Sequence, residues 1–145
     1  MNRIVILFLT LFMATGTYFA QETCEELPDH CLRYFKPQSD DDALYISDGQ
    51  VYRAFLDDDQ KAEFQVTFYG RSTYRIAATA GSDNDFVIFD IKDENGNLLF
   101  TNEAYENAPY WDFEFENTMN CVIETRLDLD KKPSGCVVML IGFQQ

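Results

Sequence analysis

A single histidine, His30, stands in 145 residues, and that scarcity removes two chemistries at once. Transition-metal sites draw heavily on imidazole, and a Ser-His-Asp arrangement needs a histidine held rigidly against a nucleophile. His30 lies between Asp29 and Cys31 in an irregular stretch, and no Gly-x-Ser-x-Gly elbow occurs. Basic residues are also few: 11 Lys and Arg face 25 Asp and Glu, for a formal net charge of −14. Such a surface repels phosphate backbones and anionic membranes, which excludes nucleic acid as a partner. Long apolar runs are missing too. The run from Ile4 to Met13 falls short of the roughly 20 residues a spanning helix requires, and nothing after Ala43 has the period of a long amphipathic helix.

What is present begins with that short run. Arg3 precedes it and the small-residue stretch Ala14 to Ala20 follows, the order of a secretory leader cleaved after Ala20. The expected organisation is a signal peptide over 1–20, an N-terminal arm over 21–42 and a β-sandwich domain over 43–145. The mature chain is expected to be secreted or periplasmic, in a bacterium, without membrane insertion. Cys24 follows Gln21, Glu22 and Thr23, not the small apolar residues that precede a lipid-bearing cysteine.

Four cysteines in an exported chain, Cys24, Cys31, Cys121 and Cys136, point to two disulfides with three connectivities open. Zinc ligands come in close cysteine pairs, and the intervals here are not of that kind. If Cys121 and Cys136 sat on two strands of one hairpin, a regular register would pair Leu127 with Cys136 and Cys121 with Gly142. At about 3.4 Å per residue the two sulfurs would then be far out of reach. The expectation is that Cys24 and Cys31 of the arm each bond one of the distant pair; a local Cys24–Cys31 loop is the alternative.

From Ala43 onward the chain breaks into short runs of period two, each ended by Gly, Asn, Asp or Pro. The runs are 44–47, 50–56, 62–69, 73–80, 86–93, 97–102, 110–117, 121–128 and 136–143. Phe64, Val66 and Phe68 share one face against Glu63, Gln65 and Thr67, and Trp111, Phe113 and Phe115 oppose Asp112, Glu114 and Glu116. These are strands with one dry and one wet face. The runs Phe86 to Ile91 and Val137 to Ile141 are apolar on both faces, as where a strand is covered from both sides. Asn95-Gly96 predicts a hairpin, since both residues tolerate positive φ. Gly70 with Arg71-Ser72, and the loop Lys131 to Gly135, predict two more. Eight or nine such strands specify an all-β, antiparallel β-sandwich of jelly-roll type, with an irregular disulfide-tied arm.

The succession Ala62-Glu63-Phe64 through Gly70, Thr73-Tyr74-Arg75-Ile76, Val87-Ile88-Phe89-Asp90-Ile91 and Asn95-Gly96-Asn97-Leu98-Leu99-Phe100 resembles the bacterial pre-peptidase C-terminal β-sandwich domains. The tail Tyr110-Trp111-Asp112-Phe113 and Ser134 to Phe143 is similar to small uncharacterised secreted proteins of Gram-negative bacteria. The resemblance implies a noncatalytic accessory module.

Candidate sites are few. Asp57, Asp59, Asp83 and Asp85 supply oxygen ligands on strand-end loops, a composition that suits calcium, although Asp and Asn also crowd into turns because they bend them. Tyr105 and Tyr110, flanking Pro109, are candidates for stacking on a glycan or a peptide, whereas Trp111 belongs to the core stripe. The residues point to a noncatalytic secreted binding or accessory module that meets a protein, a glycan or calcium, with no other cofactor. Two alternatives stand beside it: an exported hydrolase using a carboxylate pair, and a periplasmic inhibitor or assembly factor that offers an edge strand.

Overall fold

The computed structural model describes residues 23–40, 42–81 and 86–145. The leader and its cleavage site, together with Asp83 and Asp85, lie outside the described residues.

Nine strands form among these residues: β1 (Tyr45–Ser47), β2 (Tyr52–Asp57), β3 (Lys61–Phe68), β4 (Ser72–Thr79), β5 (Val87–Asp93), β6 (Leu98–Thr101), β7 (Tyr110–Phe115), β8 (Met119–Leu127) and β9 (Ser134–Gln144). They make two antiparallel sheets, ordered β2-β9-β4-β7 and β3-β8-β5-β6, with β1 lying beside β9 in line with β2. This alternation of strands between two layers is the jelly roll. Its inner face is filled by the residues whose period announced it: Phe68, Ile76, Phe89, Ile91, Ile123, Met139 and Ile141 are buried between the sheets, and Phe64, Phe113 and Phe115 pack against them half-buried. The last two stay partly open because β7 is an edge strand.

Strand β9 is apolar on both faces for a physical reason. Val137, Met139 and Ile141 point into the sandwich, while Val138 and Leu140 point outward into a second cluster with Leu27, Cys31 and Phe35 of the arm. The arm folds as one short helix, α1 (Leu27–Leu32), and a 3₁₀ turn, Arg33–Phe35. Pro28 falls in its first turn, where a missing N–H costs nothing. Gly142 is the seat of Phe35: a Cβ there would lie 2.9 Å from the Phe35 ring.

A buried guanidinium clasps the arm down. Arg75 of β4, its side chain 2% exposed, donates to both carboxylate oxygens of Asp112 at 2.6 and 2.8 Å, to both of Asp42 at 3.2 and 2.9 Å, and to the Tyr34 carbonyl at 2.6 Å. Its plane lies between the rings of Tyr45 and Tyr110, 4.2 and 4.6 Å from their centroids. The hydrogen bonds from Arg75 hold the Asp42 carboxyl down at about 2, and desolvation pushes the Tyr45 phenol up to about 12.

Several expectations need correction. The arm is tied to the sandwich by Cys24–Cys136, with Cα atoms 5.5 Å apart, but Cys31 and Cys121 are thiols and the second bridge does not form. Cys31 belongs to the outer cluster and donates to the Val138 carbonyl, whereas Cys121 lies in the inter-sheet core; a sheet separates them. Burial pushes the Cys31 thiol up to about 12, so it is a packing residue. The turns at Gly70 and at Lys131 to Gly135 are not hairpins, because β3 and β4, and β8 and β9, belong to opposite sheets. Gly70 serves another need: a Cβ there would sit 2.7 Å from the Glu116 carbonyl oxygen. The β5–β6 hairpin does form, but only Gly96 has positive φ. The Gly96 N–H donates to the Asp93 carbonyl and the Asp93 N–H to that of Asn97, which is a type I turn followed by a left-handed glycine.

Candidate functional site

Three connections gather at one end of the sandwich: the β2–β3 turn (58–60), the β6–β7 segment (102–109) and the β8–β9 loop (128–133). Hydrogen bonds lock them together. The Asp58 N–H donates to the Pro133 carbonyl at 2.9 Å, joining the first turn to the last loop. Asp58 itself is left-handed, φ 49°, a conformation that Asp tolerates better than most residues. Asn107 Nδ2 donates to the Asp128 carboxylate at 2.8 Å, joining the β6–β7 segment to the β8–β9 loop. Lys132 Nζ reaches the Ala80 carbonyl at 2.5 Å and lies over the Phe86 ring.

The β6–β7 segment is anchored from below by Asn102, which is fully buried. Its Oδ1 accepts from the Phe89 N–H at 2.8 Å, and its Nδ2 donates to the carbonyls of Val87 and Ala108 at 2.9 and 3.1 Å. A 3₁₀ turn, Asn102–Tyr105, follows, capped by Thr101 and ended by left-handed Glu106. Arg126 forks between Asp90 and Glu103 at 2.8 and 2.7 Å and fixes the turn to the outer face of the second sheet. Tyr105 is thereby laid over Trp111, centroids 4.2 Å apart, and over Phe100 at 5.7 Å, yet it stays 50% exposed.

The result is a rigid, acidic rim. Among the described residues Asp57, Asp58, Asp59, Glu106 and Asp130 make no ion pair, while Asp128 and Glu103 are held by neighbours. Between the β2–β3 turn and the β8–β9 loop runs a groove of about 270 Å³, floored by Ile88 and Arg126 and flanked by Asp59, Asp130 and Leu129, which is 49% exposed. An apolar tip amid unpaired carboxylates suits a cationic protein surface: the charges steer the encounter, and pinned loops lose little freedom on binding.

The expected site residues divide. Asp57 and Asp59 stand on the rim, on a turn closed by the Gln60 N–H to the Asp57 carbonyl at 3.1 Å. Among the described residues no three His, Cys, Asp or Glu side chains converge to hold a metal ion. Tyr105 belongs to this end, but Tyr110 does not join it: its ring turns to the other face of β7, against Arg75 and Tyr34. Side chains alternate across a strand, so Tyr110 and the Trp111 platform under Tyr105 had to part. Leu129 and Glu106 went unremarked in the sequence; a leucine within the acidic loop Asp128 to Asp130 was the available signal. Among the described residues, no helix is long and apolar enough to cross a membrane.

No protein-family model matches the chain, and no curated protein matches it. Among solved structures it is similar in fold to the crystal structure of Aeromonas hydrophila PliG, a periplasmic lysozyme inhibitor of g-type lysozyme. The TM-score is 0.51 at 9% identity, over 66% of this chain and 85% of that one, a likeness that extends to the fold.

Proposed function

We propose that this chain is a noncatalytic, exported protein-binding module of the periplasmic-inhibitor kind, and that its partner is a cationic hydrolase of the cell wall, a lysozyme. The observation that carries the reading is the acidic rim: five carboxylates that make no ion pair among the described residues, and an exposed leucine, at strand ends and loops locked to one another and to the core. An enzyme that works on an anionic wall needs a cationic binding face, and a rigid acidic end competes for that face. The fold likeness to a lysozyme inhibitor supports the same partner class.

The test is turnover of peptidoglycan by g-type, c-type and i-type lysozymes titrated with the protein. Stoichiometric inhibition of at least one type is expected, weakening as salt rises because exposed charges are screened within about 10 Å at 0.1 M. The combined variant Asp58→Asn, Asp59→Asn, Asp130→Asn should inhibit about tenfold less well, from roughly 0.5 kcal/mol per rim charge. A folded protein that slows none of the three types overturns the proposal.

A further inference from the structure

We propose that the free edge of β7 accepts an extended cationic segment of the partner as an added strand, so that binding continues from the acidic rim along the sheet edge. The inference rests on the protein-binding reading above.

The backbone phase determines what this edge offers. The Ala78 N–H donates to the Pro109 carbonyl at 2.9 Å, in step with the pairings of Ile76 with Trp111 and Tyr74 with Phe113. Along an antiparallel pair such bonds recur at every second residue. Trp111 and Phe113 therefore turn their N–H and C=O groups to β4, and Tyr110, Asp112 and Glu114 turn theirs to the open side. Among the described residues no strand pairs with the outer edge of β7, and unpaired edges are templates for added strands.

The side chains specify the guest. Asp112 and Glu114 stand on the outer face; Asp112 is already paired with Arg75, whereas Glu114 makes no ion pair among the described residues, so a cationic residue is favoured directly opposite Glu114. On the inner face Trp111 and Phe113 remain half-buried and Tyr105 half-exposed beside them, so the intervening residues of the guest must be apolar. A second copy of this chain does not fit, because self-pairing about Glu114 sets carboxylate against carboxylate.

The probe is a capped peptide of alternating Lys and Val, titrated into isotopically labelled protein and followed by backbone amide shifts. Its counterparts carry N-methyl groups on alternate residues, which keep the charge and remove the pairing donors, or glutamate in place of lysine. The parent peptide is expected to shift the amides of Tyr110, Asp112 and Glu114, with both counterparts binding at least tenfold more weakly. Glu114→Pro removes an edge-facing N–H without cutting the ladder to β4, and it should lose peptide binding to the same extent. Binding of the N-methyl peptide within twofold of the parent overturns the proposal, and that comparison uses the wild-type protein, so it stands even if the proline variant does not fold. A folded Glu114→Pro protein that inhibits a lysozyme as the wild type does also overturns the edge, while leaving the inhibitor reading intact. A wild type that inhibits no lysozyme yet pairs with the parent peptide alone overturns the lysozyme partner and leaves the edge.

Discussion

Replacing Arg75 with methionine should release the arm while leaving the sandwich folded. Methionine keeps much of the volume between the Tyr45 and Tyr110 rings, but it withdraws five hydrogen bonds and leaves the carboxylates of Asp42 and Asp112 and the Tyr34 carbonyl without their donor. Removing one member of a buried ion pair costs about 3–5 kcal/mol. The lower end applies here, because the Asp42 and Asp112 side chains are 18% and 38% exposed and regain water once the cation is gone. At about 1.4 kcal/mol per power of ten, a loss near 3 kcal/mol multiplies arm opening by about a hundred. Hydrogen exchange reads this directly: amides of Leu27 to Phe35 should lose about two powers of ten in protection, while those of β5 and β8 keep theirs. Arg75→Lys should fall between, since a point charge cannot fork across two carboxylates and a carbonyl. Unchanged protection in the arm, or an equal loss in β5 and β8, would refute the clasp.

Three further outcomes follow from the same packing. The Asp42 carboxyl is held at about 2 against an ordinary value near 3.9; a depressed carboxyl contributes stability that is complete above the ordinary value and is lost as pH falls toward 2. Arm protection should therefore drop between about pH 4 and pH 2, and Asp42→Asn should abolish that dependence in the same exchange experiment. Asn102→Ala leaves the buried Phe89 N–H and the Val87 carbonyl without partners and should cost about 2–4 kcal/mol by urea denaturation, with lost order over 102–109 in amide spectra. Replacing Cys24 and Cys136 together by serine opens a link across 112 residues and should lower stability by about 2–4 kcal/mol, read as a fall in Tm; replacing Cys121 by serine should not change the disulfide count by mass.

Much of this was legible because side-chain period is local. The Trp111, Phe113, Phe115 stripe and the two-faced run of β9 each announced a strand and its burial, and the latter implied a cover that the arm provides. Strand partnership is not local, so the turns at Gly70 and Lys131 to Gly135 read as hairpins although each chain segment crosses to the other sheet. Arg75 shows the same limit. Within Thr73-Tyr74-Arg75-Ile76 it reads as an outward, solvated residue, and its partner Asp42 lies 33 positions away. The available signal was indirect: an arginine on the strand beside β9 must share whatever covers that outer face. Cys31 and Cys121 misled because an exported context favours pairing, whereas burial on opposite sides of one sheet decides against it.

The most direct test of the protein-binding reading is a hydrogen-exchange footprint with a lysozyme that the protein inhibits. Added protection is expected at 57–60, at 103–108, at 128–131 and, where the added strand pairs, at 110, 112 and 114, with little change under the arm. A footprint confined to the open face of the β3-β8-β5-β6 sheet, or none at saturating enzyme, would contradict it.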